Sequence, residues 1–104
     1  MGNTEHRLAI LGAGNIGTSI ANGLIQSKKF TPENITLTRR RVHFIDSFKE
    51  AGFQTTKDNG EAVKNSDVII IAVEPQQFDS LIDEIKPYLD AEKHVVISVV
   101  SGVK

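Results

Sequence analysis

The sequence predicts an α/β protein in three layers, in which a doubly wound parallel sheet of about five strands lies between helices. Short apolar runs alternate with helical patterns in the order β-α-β-α-β-α-β-α-β, which favours parallel pairing with right-handed crossovers. Residues 68–73 are apolar without interruption, as is typical of a central strand covered on both faces. A glycine-rich turn follows the first apolar run, at the end of the sheet where such folds bind ligands.

Composition narrows the class of protein. The 104 residues are enough for one small domain. Lys plus Arg is 12 and Asp plus Glu is 13, a balance that argues against a non-specific nucleic-acid binder. The sequence has no cysteine, which excludes disulfides, Cys-based zinc sites and thiol nucleophiles. No apolar run approaches the roughly 20 residues that span a bilayer, so we expect a cytoplasmic protein with no membrane partner.

The first elements follow from apolar spacing. Residues 8–11 form a short apolar run that ends in glycine, which predicts a buried strand. Apolar residues at helical spacing predict a helix over residues 15–27. The β-branched residues within 35–38 predict the second strand. Residues 44–51 predict a second helix, which Gly52 ends.

The middle of the chain repeats the alternation. Residues 53–56 predict a short third strand, and Asp58 is suited to cap a short helix that follows it. The apolar run at 68–73 predicts the fourth strand, which ends before Pro75.

The last helix and strand complete the pattern. An apolar stripe within residues 78–89 predicts an amphipathic helix, which Pro87 should end or kink. Residues 95–100 predict the last strand, and the order 3-2-1-4-5 places it at an edge of the sheet.

Because this last strand is apolar and uncharged, we expect the chain to self-associate through it. The alternative is a short, hydrated edge that Ser98 and Ser101 protect from pairing.

One motif carries chemistry. Residues Gly12, Ala13, Gly14, Asn15, Ile16 and Gly17 match the G-x-G-x-x-G pattern between a predicted strand and helix. The first glycine permits a tight turn, the second lets a pyrophosphate approach the backbone, and the third lets the helix pack close to the sheet. The helix N-terminus offers N–H groups to the phosphates. We therefore predict a Rossmann-like dinucleotide-binding domain over residues 1–104; the alternative is a glycine-rich turn without a ligand.

The end of the second strand indicates which dinucleotide. NAD-binding sites of this type carry an acidic residue there, which binds the ribose hydroxyls. This chain has Thr38 followed by Arg39, Arg40 and Arg41. Arginines attract a 2′-phosphate and can bind it bidentately, so the sequence favours NADP. The alternative, that these arginines are simply solvated, is strongest for Arg41.

Other polar residues form no recognisable site. His6, His43 and His94 lie on different elements, so we predict no metal site and assign them surface or structural roles. Glu84 is expected on the solvent side of the last helix.

The motifs together resemble the N-terminal cofactor domain of pyrroline-5-carboxylate reductases, the enzymes of the last step of proline synthesis. The resemblance extends over nearly the whole chain and keeps the family's spacing. The matching blocks are residues 10–17, 38–40, 58–68, 72–76 and 98–103.

The resemblance implies an NADPH-dependent oxidoreductase that transfers hydride to the C=N bond of a cyclic imine, giving L-proline. It also implies five sets of cofactor contacts. They are the pyrophosphate at Leu11, Gly12, Ala13, Gly14, Asn15 and Ile16, the 2′-phosphate at Thr38, Arg39 and Arg40, the adenosine side at Asn59, the nicotinamide ribose at Ala72, Val73, Glu74 and Pro75, and the nicotinamide at Val100 and Ser101.

Two residues depart from the family's pattern. Glu74 stands where the family usually has Lys, and Val100 where it usually has a small residue. Either change is compatible with a reductase-like relative that acts on another imine or keto substrate. The alternatives to the family's own activity are a related keto- or hydroxy-acid reductase on the same fold and a non-catalytic NADP-binding module. The family's helical domain, which forms the dimer and much of the imine site, lies outside these residues. We expect the 104-residue chain to bind cofactor without reducing an imine, and the full-length protein to be a homo-oligomer.

Overall fold

The computed structural model describes residues 6–28, 30–39 and 46–99. Within these residues, five parallel strands form one sheet in the order β3-β2-β1-β4-β5. The Rossmann-like α/β fold and the predicted strand order are both confirmed. The strands are β1 Leu8–Leu11, β2 Ile35–Thr38, β3 Gln54–Thr56, β4 Val68–Ile71 and β5 Val95–Ser98. The helices are α1 Asn15–Gln26, α2 Asp46–Glu50, α3 Asn59–Lys64 and α4 Pro75–Ile85, with 3₁₀ turns at Pro32–Asn34 and Lys86–Tyr88.

Strand β4 is shorter than predicted. It ends at Ile71, although the backbone N–H of Ala72 still donates to the carbonyl of Leu11 at 2.9 Å. The chain then turns, and Val73 packs against Gly12. Ala72 and Val73 are apolar because they pack against the apolar core on the two faces of the sheet, next to the loop that follows β1.

The ends of the helices follow local chemistry. Helix α4 begins with Pro75 at its first position and ends at Ile85, and Pro87 lies in the 3₁₀ turn that follows, as predicted. Asp58 caps α3, since its Oδ1 accepts a hydrogen bond from the N–H of Glu61 at 3.0 Å. None of the helices in the described part of the chain has the length and apolarity that a bilayer crossing needs.

Two apolar clusters, one on each face of the sheet, bury β1 completely. Leu8 and Ile10 pack with residues of α1 and β2, whereas Ala9 and Leu11 pack with residues of α3 and α4. Because side chains alternate across a strand, each face of β1 contributes to a different cluster. Each buried Leu or Ile contributes about 1.5–3 kcal/mol relative to full exposure.

The parallel register places the carboxyl ends of four strands side by side. Leu11 pairs with Thr38 of β2 on one side and with Ile71 of β4 on the other. Thr38 pairs in turn with Thr56 of β3. The loops after these strands therefore meet at one edge of the sheet, where doubly wound folds bind their ligands.

Candidate functional site

An open groove of about 670 Å³ lies at the carboxyl ends of β1 to β4. This volume is in the range of small-molecule and cofactor sites. Three of the predicted contact residues, Arg40, Val100 and Ser101, lie outside the described residues. Eight others line the groove: Gly12, Gly14, Thr38, Arg39, Asn59, Ala72, Val73 and Glu74.

The remaining predicted residues lie around the glycine loop or at a helix start. Leu11 and Ala13 are both buried, with no exposed surface. Asn15 is the first residue of α1, and Ile16, in the same turn, is 43% exposed. Pro75 is exposed at the start of α4.

The glycine loop has the backbone geometry that the motif predicted. Gly12 has a φ of +85°, and a Cβ there would lie 2.5 Å from Cγ1 of Val73. A Cβ on Gly17 would lie 3.0 Å from the carbonyl oxygen of Gly12, so glycine allows α1 to pack against the loop. A Cβ on Gly14 would meet nothing within 4 Å, which leaves its backbone open to the groove.

The loop is tied to the end of β2. The carbonyl of Thr38 accepts from the N–H groups of Gly12 at 3.1 Å and of Ala13 at 2.7 Å. The Thr38 hydroxyl also accepts from the Gly12 N–H at 3.1 Å, and the side chain is only 1% exposed. Thr38 therefore supports the glycine loop, while its hydroxyl hydrogen remains able to donate to a ligand.

Helix α1 begins at the floor of the groove. Gly14 is its N-cap residue and has no side chain to accept from the first N–H groups. The N–H of Thr18 donates to the Gly14 carbonyl at 2.9 Å, the first bond of the helix. The partial positive charge of this end favours an anion in the groove.

Cationic and anionic side chains occupy different walls. Arg39 and Lys57 follow β2 and β3, whereas Glu74 and Glu84 belong to the wall that α4 forms. The two oxygens of Glu84 each lie 3.4 Å from Nδ2 of Asn59, which donates to them. An anionic group of a ligand would therefore be favoured at the β2–β3 end of the groove.

Five residues of the groove wall are not among the contact residues predicted from the sequence. Glu84 is exposed, as expected, but it also faces the groove through the packing of α4 on α3. The signal in α4 is a set of positions at i, i+3, i+4 and i+7 from Gln77, which runs along the edge of the apolar stripe and includes Leu81 of that stripe. Lys57 is marked by its place directly after the third strand. The five residues are Lys57, Gln77, Ser80, Leu81 and Glu84.

Known proteins are similar to this chain in both sequence and fold. A pyrroline-5-carboxylate reductase 1 from Dictyostelium discoideum is 42% identical over 98 residues, which cover 94% of this chain and 18% of that protein. The structure of a pyrroline-5-carboxylate reductase from Coxiella burnetii superposes with a TM-score of 0.87 at 34% identity, covering 97% of this chain and 37% of that one. A Plasmodium falciparum pyrroline carboxylate reductase with NADP bound gives a TM-score of 0.81 at 25% identity, covering 98% and 36% of the two chains.

The chain thus spans well under half of the length of these relatives. Residues 7–102 match the family model described as NADP oxidoreductase, coenzyme F420-dependent. Because this match extends over nearly all of the sequence, the chain belongs to that family of NADP oxidoreductases, and its resemblance to pyrroline-5-carboxylate reductases is confirmed.

Proposed function

We propose that this chain is the NADP-binding domain of a pyrroline-5-carboxylate reductase-like oxidoreductase. When bound, NADPH supplies the hydride that reduces the C=N bond of a cyclic imine: the imine carbon gains the hydride, the nitrogen gains a proton, and L-proline and NADP⁺ are the products. The protein's part is to bind and orient the cofactor.

The placement of Arg39 carries this proposal. Its Nη1 donates to the carbonyl of Ala13 at 3.2 Å, and its backbone N–H donates to the carbonyl of Thr56 at 3.3 Å. These bonds hold a cation between the glycine loop and the end of β2, beside which the adenosine ribose lies in Rossmann-like folds. A guanidinium has five N–H donors, so it can serve Ala13 and a phosphate at once.

The groove also fits the rest of the cofactor. The open backbone at Gly14 and the N-terminus of α1 suit a pyrophosphate. Oδ1 of Asn59 is buried and accepts no hydrogen bond from the residues that the structure describes. A buried acceptor of this kind calls for a donor, which an adenosine hydroxyl or amino group would supply. The resemblance implies that the nicotinamide ribose would lie along Ala72, Val73, Glu74 and Pro75. It also implies nicotinamide contacts at Val100 and Ser101, which lie outside the described residues.

A titration of both cofactors tests the proposal. We expect nicotinamide fluorescence to show tighter binding of NADPH than of NADH. The substitution Arg39→Gln removes a charge-assisted contact, so it should weaken NADPH binding by about 10- to 150-fold, or about 1.5–3 kcal/mol. NADH binding should change much less.

The control for this titration is Arg7→Gln, since Arg7 is exposed just before β1, at the opposite end of the sheet. It should bind both cofactors as the wild type does. Equal affinities of the wild type for NADPH and NADH would contradict the assignment of NADP. An equal loss of both in Arg39→Gln would mean that Arg39 only supports the loop.

The whole protein is also part of the proposal. On the same resemblance, we infer a cytoplasmic homo-oligomer in which a helical domain completes the site for a small imine substrate. The full-length protein should then reduce the imine, whereas the 104-residue chain alone should not.

A further inference from the structure

Lys57 lies beside Arg39 at the carboxyl end of the sheet. Thr38 of β2 pairs with Thr56 of β3, so Arg39 and Lys57 are the residues that directly follow a paired position. The bond from the Arg39 N–H to the Thr56 carbonyl, at 3.3 Å, extends this pairing by one step. Adjacent strands are about 4.8 Å apart. Both residues line the groove, so two cationic residues lie at the same end of it.

The turn that carries Lys57 is held on both sides. The Thr56 hydroxyl accepts from the N–H of Asp58 at 3.1 Å, which closes a tight turn around Lys57. Asp58 in turn caps α3 through the N–H of Glu61 at 3.0 Å. The acidic neighbour of Lys57 is therefore engaged with the helix, and the backbone position of Lys57 is fixed while its side chain is exposed.

Two adjacent cations repel each other unless an anion lies between them. A phosphate monoester carries a charge of about −1.5 to −2 at neutral pH, whereas a ribose hydroxyl is neutral. The 2′-phosphate therefore distinguishes NADPH from NADH at this end of the groove. Glu74 and Glu84 on the α4 wall disfavour a phosphate on their side and leave the β2–β3 end as the favoured one.

We propose that Lys57 is a second residue that selects NADPH over NADH, binding the 2′-phosphate from the β3 side while Arg39 binds it from the β2 side. This inference rests on the proposed function and adds a contact from a strand that the resemblance did not assign. It also makes the preference for NADPH dependent on the register between β2 and β3.

The test compares Lys57→Gln with Lys57→Arg, which keeps the charge, and with Lys86→Gln, which removes an exposed lysine outside the groove. NADPH and NADH are titrated against each chain by nicotinamide fluorescence at low and high salt. For Lys57→Gln we expect the Kd for NADPH to rise about five- to tenfold, between the effects of an exposed ion pair and a charge-assisted hydrogen bond. The Kd for NADH should stay unchanged.

The two control variants show whether the loss of NADPH binding depends on the positive charge at position 57. Lys57→Arg should bind NADPH nearly as the wild type does, and Lys86→Gln should match the wild type for both cofactors. High salt should reduce the difference between Lys57→Gln and the wild type, because it screens exposed charges. Circular dichroism establishes that each variant is folded, and Lys57→Ala replaces Lys57→Gln if that variant does not fold.

The remaining outcomes would contradict either the inference on Lys57 or the proposed function. If the wild type prefers NADPH and Lys57→Gln keeps the same preference, the inference on Lys57 is wrong and the proposed function stands. An equal loss of both cofactors in Lys57→Gln also overturns the inference, since it indicates a general effect on the groove. If the wild type binds neither cofactor, the proposed function fails and the inference fails with it.

Discussion

Strands β4 and β5 are neighbours with similar sequences and very different surroundings. Val68–Ile71 reads Val-Ile-Ile-Ile and pairs residue by residue with Val95–Ser98, which reads Val-Val-Ile-Ser. In β4, Ile69 is fully buried. In β5, the exposed fraction is 58% for Val95 and 45% for Ile97. An apolar, β-branched sequence therefore specifies a strand, but the neighbouring elements decide whether its side chains are buried.

The neighbours of β4 explain its burial. It lies between β1 and β5, and its residues Ile69 and Ile71 pack in the same cluster as Leu81 and Ile85 of α4. Strand β5 pairs with β4 alone within the described sheet. The exposed strand is held in place mainly by its hydrogen bonds, whereas β4 is held by packing as well.

The largest expected effect on stability is the difference between two Ile→Ala substitutions, one in β4 and one in β5. Ile69→Ala should lower the free energy of unfolding by about 2–5 kcal/mol, because it leaves a cavity between the sheet and α4. Ile97→Ala should lower it by less than about 1 kcal/mol, because much of that side chain is already in water. Urea unfolding followed by circular dichroism measures both. Similar losses at low protein concentration would contradict the comparison, since they would require β5 to be buried.

A smaller effect is expected at the turn that leads into β5. The N–H of Asp90 donates to Nδ1 of His94 at 2.9 Å, so Nε2 carries the proton and donates to the carbonyl of Val63, also at 2.9 Å. Of the surface or structural roles that the sequence allowed, these two bonds give His94 a structural one. His94→Phe keeps a ring but removes both bonds, and should cost about 1–2 kcal/mol of unfolding free energy.

Hydrogen exchange of the β5 amides sharpens this second prediction. If His94 positions the strand, those amides should exchange faster in His94→Phe, while the amides of β1 should keep their order of protection. The control His6→Phe changes an exposed histidine just before β1 and should leave unfolding and exchange unchanged. Unaltered stability in His94→Phe would show that the pairing with β4 alone suffices.

The sequence predicted the local features of the fold well. The bounds of β1 and β2 are as predicted, as is the cap at Asp58, because each depends on residues close together in the chain. The end of β4 was misplaced, since Val73 is apolar for a contact with Gly12 that lies far away in sequence.

The groove was predictable only in part, for the same reason. The glycine motif and Arg39 carry a recognisable pattern, and Gly12, Gly14 and Arg39 line the groove. Lys57 and Glu84 enter the groove through the register of β3 on β2 and the packing of α4 on α3, which depend on long-range contacts. Single-residue types cannot reveal such contacts. The sequence therefore predicts the glycine motif and the residues that follow β2 and β4, but not Lys57 or the residues within α4.

The two edges of the sheet differ in how much apolar surface they expose. A substitution at the β5 edge should have the smallest effect on stability and should test directly whether this exposed strand pairs with another chain. Strand β3 at one edge is polar, Gln-Thr-Thr, whereas β5 at the other edge exposes Val95, Val96 and Ile97. An exposed apolar edge can pair with another chain, and a lysine within it disfavours such pairing. We therefore expect light scattering to show concentration-dependent self-association of the wild type. Ile97→Lys should abolish it and change the unfolding free energy by only about 0.5 kcal/mol.

The matched control is Gln54→Lys, which places the same charge on the exposed β3 edge. It should self-associate as the wild type does, because that edge offers little apolar surface to a partner. Loss of association in both variants would indicate a non-specific effect of charge, and a wild type that stays monomeric at high concentration would contradict pairing through β5. In that case Ser98, exposed at the end of the strand, together with the shortness of β5, would be enough to keep the edge in water.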